Sequence, residues 1–379
     1  MAWQRRDVME QRIEFVVRAS TGNECFSELC KAYSISRFTG YVWLNRYRES
    51  GSVSGLEDLS RRPKKTPHKT SEALEAEVIQ LRKKYGWGGR KLRHVFLRDG
   101  KDLNERTINR IIKRHGLCDE KKSQRRALKR FQREKPNELW QMDFKGEYPD
   151  KKKTCYPFSL LDDHSRFLIG LYSLCKRNTI SVEKSLLHAF ENYGLPEAIL
   201  TDHGTPWWCT LGEYGLTRLA IMLIKQGITL KLSGIRHPQT QGKVERFHRT
   251  LDEALMHRGL PKKYSDWEPM LNEIREEYNQ VRPHEAIAMN VPADCYEKSP
   301  RQYNPKPSPW VYPYATSVAT VDSAGCVRHK GSQYFMTKTL IGEKVSLNIL
   351  NDKLIVGFRH MYVREIDLKT GRGKPILKT

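Results

Sequence analysis

Three acids fall where side chains could converge to do chemistry. Asp143 lies inside the alternating run "ELWQMDFKGEY". Asp202 closes the short apolar run "EAILTD", and Glu245 sits one turn into the helical stretch that opens with "HPQTQGKVERFHRTL". A carboxylate on a strand, one at a strand's end and one on an adjacent helix can meet at one point. Clustered carboxylates repel each other strongly unless a cation neutralises them. Oxygen donors without a Cys/His cluster select Mg²⁺ or Mn²⁺ over zinc, and two such ions about 3.5–4 Å apart suit displacement at phosphorus. A plainer reading makes Glu245 a salt-bridge partner of Lys243 or Arg246 on a solvated helix. Asp162 and Asp163, in "LLDDHSR", are rival ligands but read first as turn residues. Asp252, two turns beyond Glu245, is a weaker rival.

The elements that must position these acids follow from periodicity. Residues 137–298 alternate strand-like and helix-like runs. "YPFSLLDDHSRFLIGLYSL" reads as two strands joined at Asp162–Ser165, "ISVEKSLLHAFENYG" and "SDWEPMLNEIREEYNQV" as amphipathic helices, and "ITLKLSG" as another strand. Three adjacent strands followed by alternating helices and strands predict a mixed-sheet α/β domain. A proline-rich segment, 299–313, reads as a semi-rigid linker. Residues 314–379 predict a small β-barrel or sandwich.

Residues 1–60 predict three helices. Ser36 is placed to cap the third, with Phe38, Val42 and Trp43 facing the second helix and Arg37, Thr39, Asn45 and Arg46 outward. This is a helix-turn-helix pattern, and Arg37, Thr39 and Arg46 are its candidate DNA contacts. Residues 66–118 repeat the plan. Asn104 caps the last helix of that unit, Ile108, Ile111 and Ile112 pack, and Arg106, Thr107 and Arg110 point to DNA. The basic stretches 58–70 and 119–136 predict linkers that track a phosphate backbone. The fold class is therefore multidomain: N-terminal all-α tandem helix-turn-helix units, a central α/β mixed sheet and a small all-β C-terminal domain.

Composition narrows the partners. A formal net charge of +23 and a sequence pI near 9.6 point to a polyanion. No run reaches the roughly 18–20 apolar residues of a membrane span. The N-terminus shows no signal-peptide core. Eight cysteines without a C-x-x-C pair argue against a zinc ribbon or a disulfide scaffold. A soluble intracellular protein is expected.

"WQMDF", "LPEAILTDHGTPWW" and "HPQTQGKVERFHRTL" resemble the three acidic motifs of insertion-sequence DDE transposases with a retroviral-integrase-type catalytic core. "FSELCKAYSISRFTGYVWLNRYRESG", "GLEDLSRRP" and "WGGRKL" resemble the N-terminal region of the same family. The resemblance covers most of residues 10–310. It implies an RNase-H-like fold for about 137–290, with Asp143, Asp202 and Glu245 as the catalytic, metal-binding triad for Mg²⁺ or Mn²⁺, two ions being expected. Gln241, Lys243 and Arg249 would hold DNA phosphates at the mouth of the site. The implied partners are double-stranded DNA, as element ends and target, and further copies of the chain in a homodimer or larger synaptic complex. The implied location is the cytoplasm, with the nucleoid. Two departures stand out: His203 replaces the family's usual Asn in the Asp-Asn-Gly turn, and the interval from Asp202 to Glu245 is longer than in retroviral integrases. "WWCTLGEYGLTRL" is expected to form a loop or extra turn near the site. A metal-dependent nuclease that cuts without joining, and a catalytically idle DNA-binding regulator, remain as alternatives.

Overall fold

Apolar residues at helical spacing, bracketed by capping side chains, give the N-terminal part of the chain its helices. The computed structural model describes residues 7–59, 70–118, 132–149, 153–209, 215–233 and 241–376. It divides into two compact units, Met1–Thr70 and Ser71–Thr379. The basic segments predicted as DNA-tracking linkers fall largely at 60–69 and 119–131, outside the described residues. Among the described residues no helix is long and apolar enough to cross a membrane.

The first unit is built from α1 (Val8–Thr21), α2 (Phe26–Ala32) and α3 (Arg37–Ser50), followed by a short 3-10 turn at Val53–Leu56. Ser36 caps α3 as expected, its Oγ accepting the Thr39 N–H at 3.1 Å. Phe15, Val16, Leu29, Cys30, Leu44 and Leu56 form the core. The phase of α3 differs from the sequence expectation. Its buried stripe runs through Gly40 and Leu44, so Phe38 and Val42 face solvent, while only Trp43 packs against the core. Gly40 sets this phase. A Cβ there would lie 2.7 Å from Cys30 Sγ and 2.9 Å from Phe15 Cζ, so α3 reaches its neighbours only through a residue with no side chain.

The second unit opens with another three-helix bundle, α4 (Glu72–Tyr85), α5 (Gly89–Arg98) and α6 (Glu105–Arg114). Asn104 caps α6 by accepting the Arg106 N–H. Ile108, Ile111 and Ile112 are buried and Arg106 and Arg110 exposed, as their spacing predicts.

The central sheet contains β1 (Trp140–Phe144), β2 (Tyr156–Asp162), β3 (Leu168–Leu174), β4 (Ala198–Thr201) and β7 (Thr229–Leu232). Its order is β3-β2-β1-β4-β7. The first three strands are antiparallel neighbours, whereas β4 lies parallel to β1 and β7 parallel to β4. Two-residue strands β5 (Trp208–Cys209) and β6 (Gly215–Leu216) pair with each other before α8 (Arg218–Lys225). Helices α7 (Thr179–Tyr193), α9 (Gly242–Arg258) and α10 (Trp267–Gln280) complete this layer. Val182, Leu186 and Phe190 of α7 share a core with β1 and β4. Phe247, Leu251 and Leu255 of α9 join Trp267 and Leu271 of α10 against the residues of β2 and β3. This mixed sheet between helices is the expected α/β architecture.

At the C-terminus, β8 (Ser317–Thr320), β11 (Lys344–Leu350), β12 (Lys353–Phe358), β13 (Met361–Asp367) and β14 (Gly373–Pro375) form an antiparallel sheet. The strands β9 (Cys326–His329) and β10 (Ser332–Phe335) form a separate hairpin. Its apolar face is continuous with the central core. Arg359 donates to the Lys225 carbonyl at 2.7 Å, and Lys225 pairs with Glu343 at 2.5 Å. The start of the proline-rich segment also differs from a free spacer. The Arg301 guanidinium donates to the carbonyls of Pro196, Gln226 and Gly227, and its own carbonyl accepts the Leu195 N–H. Those carbonyls end a helix and a loop, and a single guanidinium satisfies all three.

Candidate active site

Asp143 occupies the penultimate position of β1. The strand's alternation places Gln141 and Asp143 on the same side. Asp202 follows β4, the parallel neighbour of β1, so both acids lie at the same, C-terminal end of two adjacent strands. Glu245 lies in the first turn of α9 and is exposed.

The Asp143 carboxyl is pushed up to about 7. Burial is the main cause, followed by the negative charge of Asp202. The Phe144 N–H opposes the rise, Glu245 adds to it, and Arg177 opposes it again. All three predicted acids therefore lie in one electrostatic neighbourhood. His248, one turn beyond Glu245, supplies no compensating charge. Burial and the nearby Lys145 hold its imidazole down to about 4, so it is neutral at physiological pH. It shares a hydrogen bond with Ser159 Oγ at 3.2 Å, and its Nδ1 stands 3.8 Å from Asp143 Oδ2, too far for a hydrogen bond.

Asp202 is held by its own turn. Its Oδ1 accepts the Gly204 N–H at 2.9 Å and the Trp207 indole N–H at 2.6 Å. A Cβ at Gly204 would stand 3.0 Å from that oxygen, so a side chain there would require the carboxylate to shift by a few tenths of an ångström. His203 is half-buried between them. The Trp207 ring also stacks on Phe144, 5.4 Å between centroids. The stretch beginning at Trp207 thus reaches the site directly, closer than the predicted neighbouring loop.

The donor set fits a hard divalent cation in its chemistry: carboxylate oxygens only, one of them raised by two further carboxylates. It is not a preassembled cage. Among the described residues no group of three His, Cys, Asp or Glu side chains stands close enough to hold an ion. Residues 234–240, which precede the start of α9, lie outside the described ones.

The rival acids have other partners. Asp162 is fully buried and accepts the Asn137 N–H, the Ser165 N–H and the Ser165 hydroxyl, which makes it a turn residue as expected. Asp163 is equally buried and takes hydrogen bonds from the Gln141 amide and the Arg133 N–H. It also forms an ion pair with Lys243. Asp252 accepts the Tyr148 hydroxyl and pairs with Lys145 at 3.1 Å.

Several of the predicted DNA contacts have partners within the chain. Lys243 pairs with Asp163 in a buried setting that lowers its ammonium to about 8, which ties the start of α9 to the turn after β2. Gln241 is buried at the start of the same helix. Thr39 shares the cap of α3 with Ser36, hydroxyl to hydroxyl at 2.9 Å. Arg46 stacks over Trp43 and donates to the Glu57 carbonyl. Thr107 is half-buried, with its hydroxyl accepting from Arg110 at 3.3 Å. Arg37, Arg106, Arg110 and Arg249 remain exposed.

Sequence reasoning missed Gln141 and Trp207. Gln141 donates to Asp163 and accepts the Val244 N–H at 3.2 Å, which ties β1 to the turn of α9 that carries Glu245. Its position two residues before Asp143, on the same strand face, was the available signal. Two adjacent tryptophans just after Asp202 were the signal for Trp207.

Residues 133–238 and 226–292 match two models described as integrase core domain. Residues 11–64 match a helix-turn-helix domain and residues 39–112 a homeodomain-like domain. An uncharacterized 31.7 kDa protein of insertion element IS407 from Burkholderia multivorans is 23% identical over 241 residues, 61% of this chain and 83% of that protein. The Gag-Pol polyprotein of baboon endogenous virus is 30% identical over 146 residues, 38% of this chain but only 8% of the polyprotein. Among solved structures, the HTLV-2 integrase catalytic core domain in complex with magnesium is similar over 43% of this chain and 97% of that one, with 20% identity and a TM-score of 0.32. A simian T-cell lymphotropic virus intasome, in complex with a PP2A regulatory subunit, is similar over 80% of this chain and 99% of that one, with 13% identity and a TM-score of 0.39.

Proposed function

For a chain that carries an integrase core of the insertion-sequence transposase type behind helix-turn-helix segments, we propose that it is a DDE transposase. It binds the ends of its own insertion element, cleaves them to 3′-hydroxyls and joins these to target DNA. The observation that carries the reading is geometric: Asp143 near the end of β1 and Asp202 just past its parallel neighbour β4, with Glu245 in the first turn of α9. Burial first, and then Asp202 and Glu245, raise the Asp143 carboxyl in keeping with it. Carboxylates gathered in this way repel one another, and a bound divalent cation offsets that cost.

Asp143, Asp202 and Glu245 would hold two Mg²⁺ or Mn²⁺ ions. When bound, these supply Lewis acidity toward phosphate oxygens and lower the pKa of water. The protein's own work is positioning. The Gly204 N–H and the Trp207 indole orient Asp202. Gln141 and the Asp163–Lys243 pair fix the first turn of α9. Arg249 is exposed on that helix and would meet a DNA phosphate. Hydrolysis at the element end frees a 3′-hydroxyl, and that hydroxyl then attacks a target phosphodiester in a second displacement. Two ends must meet, so a homodimer or larger assembly is part of the proposal. The exposed Arg37, Arg106 and Arg110 would contact the element end.

The test is an oligonucleotide assay with Mg²⁺ in which a pre-cleaved element end is offered to plasmid. Joining by the wild type, lost in Asp202→Asn and Glu245→Gln while end binding persists, is expected. Cutting without joining would assign a nuclease, and binding without either reaction a regulator.

A further inference from the structure

Helix α3 exposes three apolar side chains on the face that a helix-turn-helix unit turns to DNA. Phe38 is 79% exposed, Tyr41 52% and Val42 38%. Gly40 and Leu44 hold the opposite face inward, so the exposure follows from the helix phase. Leaving a Phe in water forgoes the free energy of burying its ring, an arrangement that favours a partner able to cover it.

We propose that Phe38 and Val42, beside Tyr41, read thymine methyl groups in the major groove of the element end. This rests on the reading of the chain as a DNA-end-binding transposase. Three features of α3 support this occupant over a protein one. The C5 methyl of thymine is the apolar group that base edges present in the major groove, so apolar residues on a reading helix have one base to recognise. The patch is also bordered by Arg37, Asn45 and Arg48, all exposed, and the first turn of α3 carries no acid. The positive end of the helix dipole and Arg37 therefore face a polyanion. Finally, two of the polar side chains of α3 are engaged within the unit, Thr39 with the Ser36 cap and Arg46 with Trp43 and the Glu57 carbonyl.

The patch is partly preorganised. The Tyr41 ring stacks on Phe26 with 4.3 Å between centroids, which fixes one wall beside Phe38. Helix α6 offers the contrast. All three of its isoleucines are buried, and its exposed face is Arg106, Asn109, Arg110 and Lys113. Of these two helices, only α3 carries an exposed apolar edge. The two units would divide the work, α3 reading methyl groups and α6 phosphates and polar base edges.

The test starts with the full chain and a random duplex library, to select the preferred site. Each thymine of that site is then replaced by deoxyuridine, which removes only the methyl group, and affinity is measured by fluorescence anisotropy. At one or two positions the replacement should weaken wild-type binding by roughly 5- to 10-fold. Phe38→Ala should bind the thymine and deoxyuridine duplexes equally, and Phe38→Leu should restore the difference. Because Phe38 is exposed, these variants should keep the wild-type melting temperature, which is checked alongside. A selected site at which deoxyuridine costs nothing overturns the inference and leaves the proposed transposase function standing. Discrimination that survives in Phe38→Ala also overturns it, as does loss of a dimer in light scattering with discrimination intact, which would make the patch a contact between copies. A selection that enriches no site sinks this inference and the end-binding function together.

Discussion

The Trp207 indole N–H donates to Asp202 Oδ1 at 2.6 Å, while the same ring stacks on Phe144, the residue after Asp143. One side chain from the lengthened interval between Asp202 and Glu245 thus touches both strand ends that carry the first two acids. A hydrogen bond to a charged carboxylate contributes about 1.5–3 kcal/mol. Trp207→Phe keeps the stacking and removes the donor, so strand joining should fall by roughly 10-fold or more. A Mg²⁺ titration of the joining rate should show the half-saturating concentration rising. An unchanged rate and Mg²⁺ dependence would mean that the indole only packs.

Asp163 and Lys243 form a buried pair that also engages Gln141, and Gln141 holds the Val244 N–H. Removing one partner of such a pair strands the other charge at a cost of about 3–5 kcal/mol. Asp163→Ala should therefore lower stability in urea unfolding by that order, and joining should fall because Glu245 loses its support. The Mg²⁺ dependence of the remaining activity should be unchanged, since Asp163 is read as an anchor and not a ligand. A shifted Mg²⁺ dependence would return Asp163 to the list of ligands.

Lys91 on α5 is half-buried, and its ammonium is lowered to about 7. Burial is the first cause, Arg282 adds to it, and Glu285 and Glu253 oppose it. The folded state therefore binds fewer protons than the unfolded chain between pH 7 and the usual lysine range. The cost of the buried charge is felt in full below pH 7 and is relieved as pH rises through that window. Lys91→Met should stabilise the protein by about 1–2 kcal/mol at pH 6–7, and the gain should shrink towards pH 10. Thermal melts at several pH values decide this, and a pH-independent difference would contradict it.

Gly40 permits the close approach of α3 to α1 and α2, with Cys30 and Phe15 where its Cβ would be. Gly40→Ala should cost about 1–3 kcal/mol through overpacking. The loss should appear in the unfolding of the N-terminal unit and as weaker DNA binding, while joining of a pre-cleaved end supplied at saturating concentration is retained. Unchanged melting would mean that the helices can separate without penalty.

Local chemistry made much of this protein legible before any tertiary contact was known. Ser36 and Asn104 announce the starts of α3 and α6, because their side chains satisfy backbone donors a few residues away. Alternation in "ELWQMDF" and the apolar run before Asp202 place two acids at or near strand ends, and the helical spacing after Gly242 places the third one turn in. These features depend on residues within a few positions of one another, so a linear reading reaches them. The side of α3 that faces inward does not, because it depends on Cys30 and Phe15 leaving no room at Gly40. Nor do the fates of Lys243, which pairs with an acid in a distant turn, and Trp207, which meets Asp202 across a turn and Phe144 across the sheet. The C-terminal sheet likewise reads as a separate domain by its strand pattern, yet it shares a core with the central one. Sequence determined which elements form and where their charges lie along them. Tertiary structure alone decided which charges are neutralised by partners and which face outward, because burial and pairing are properties of residues far apart in the chain.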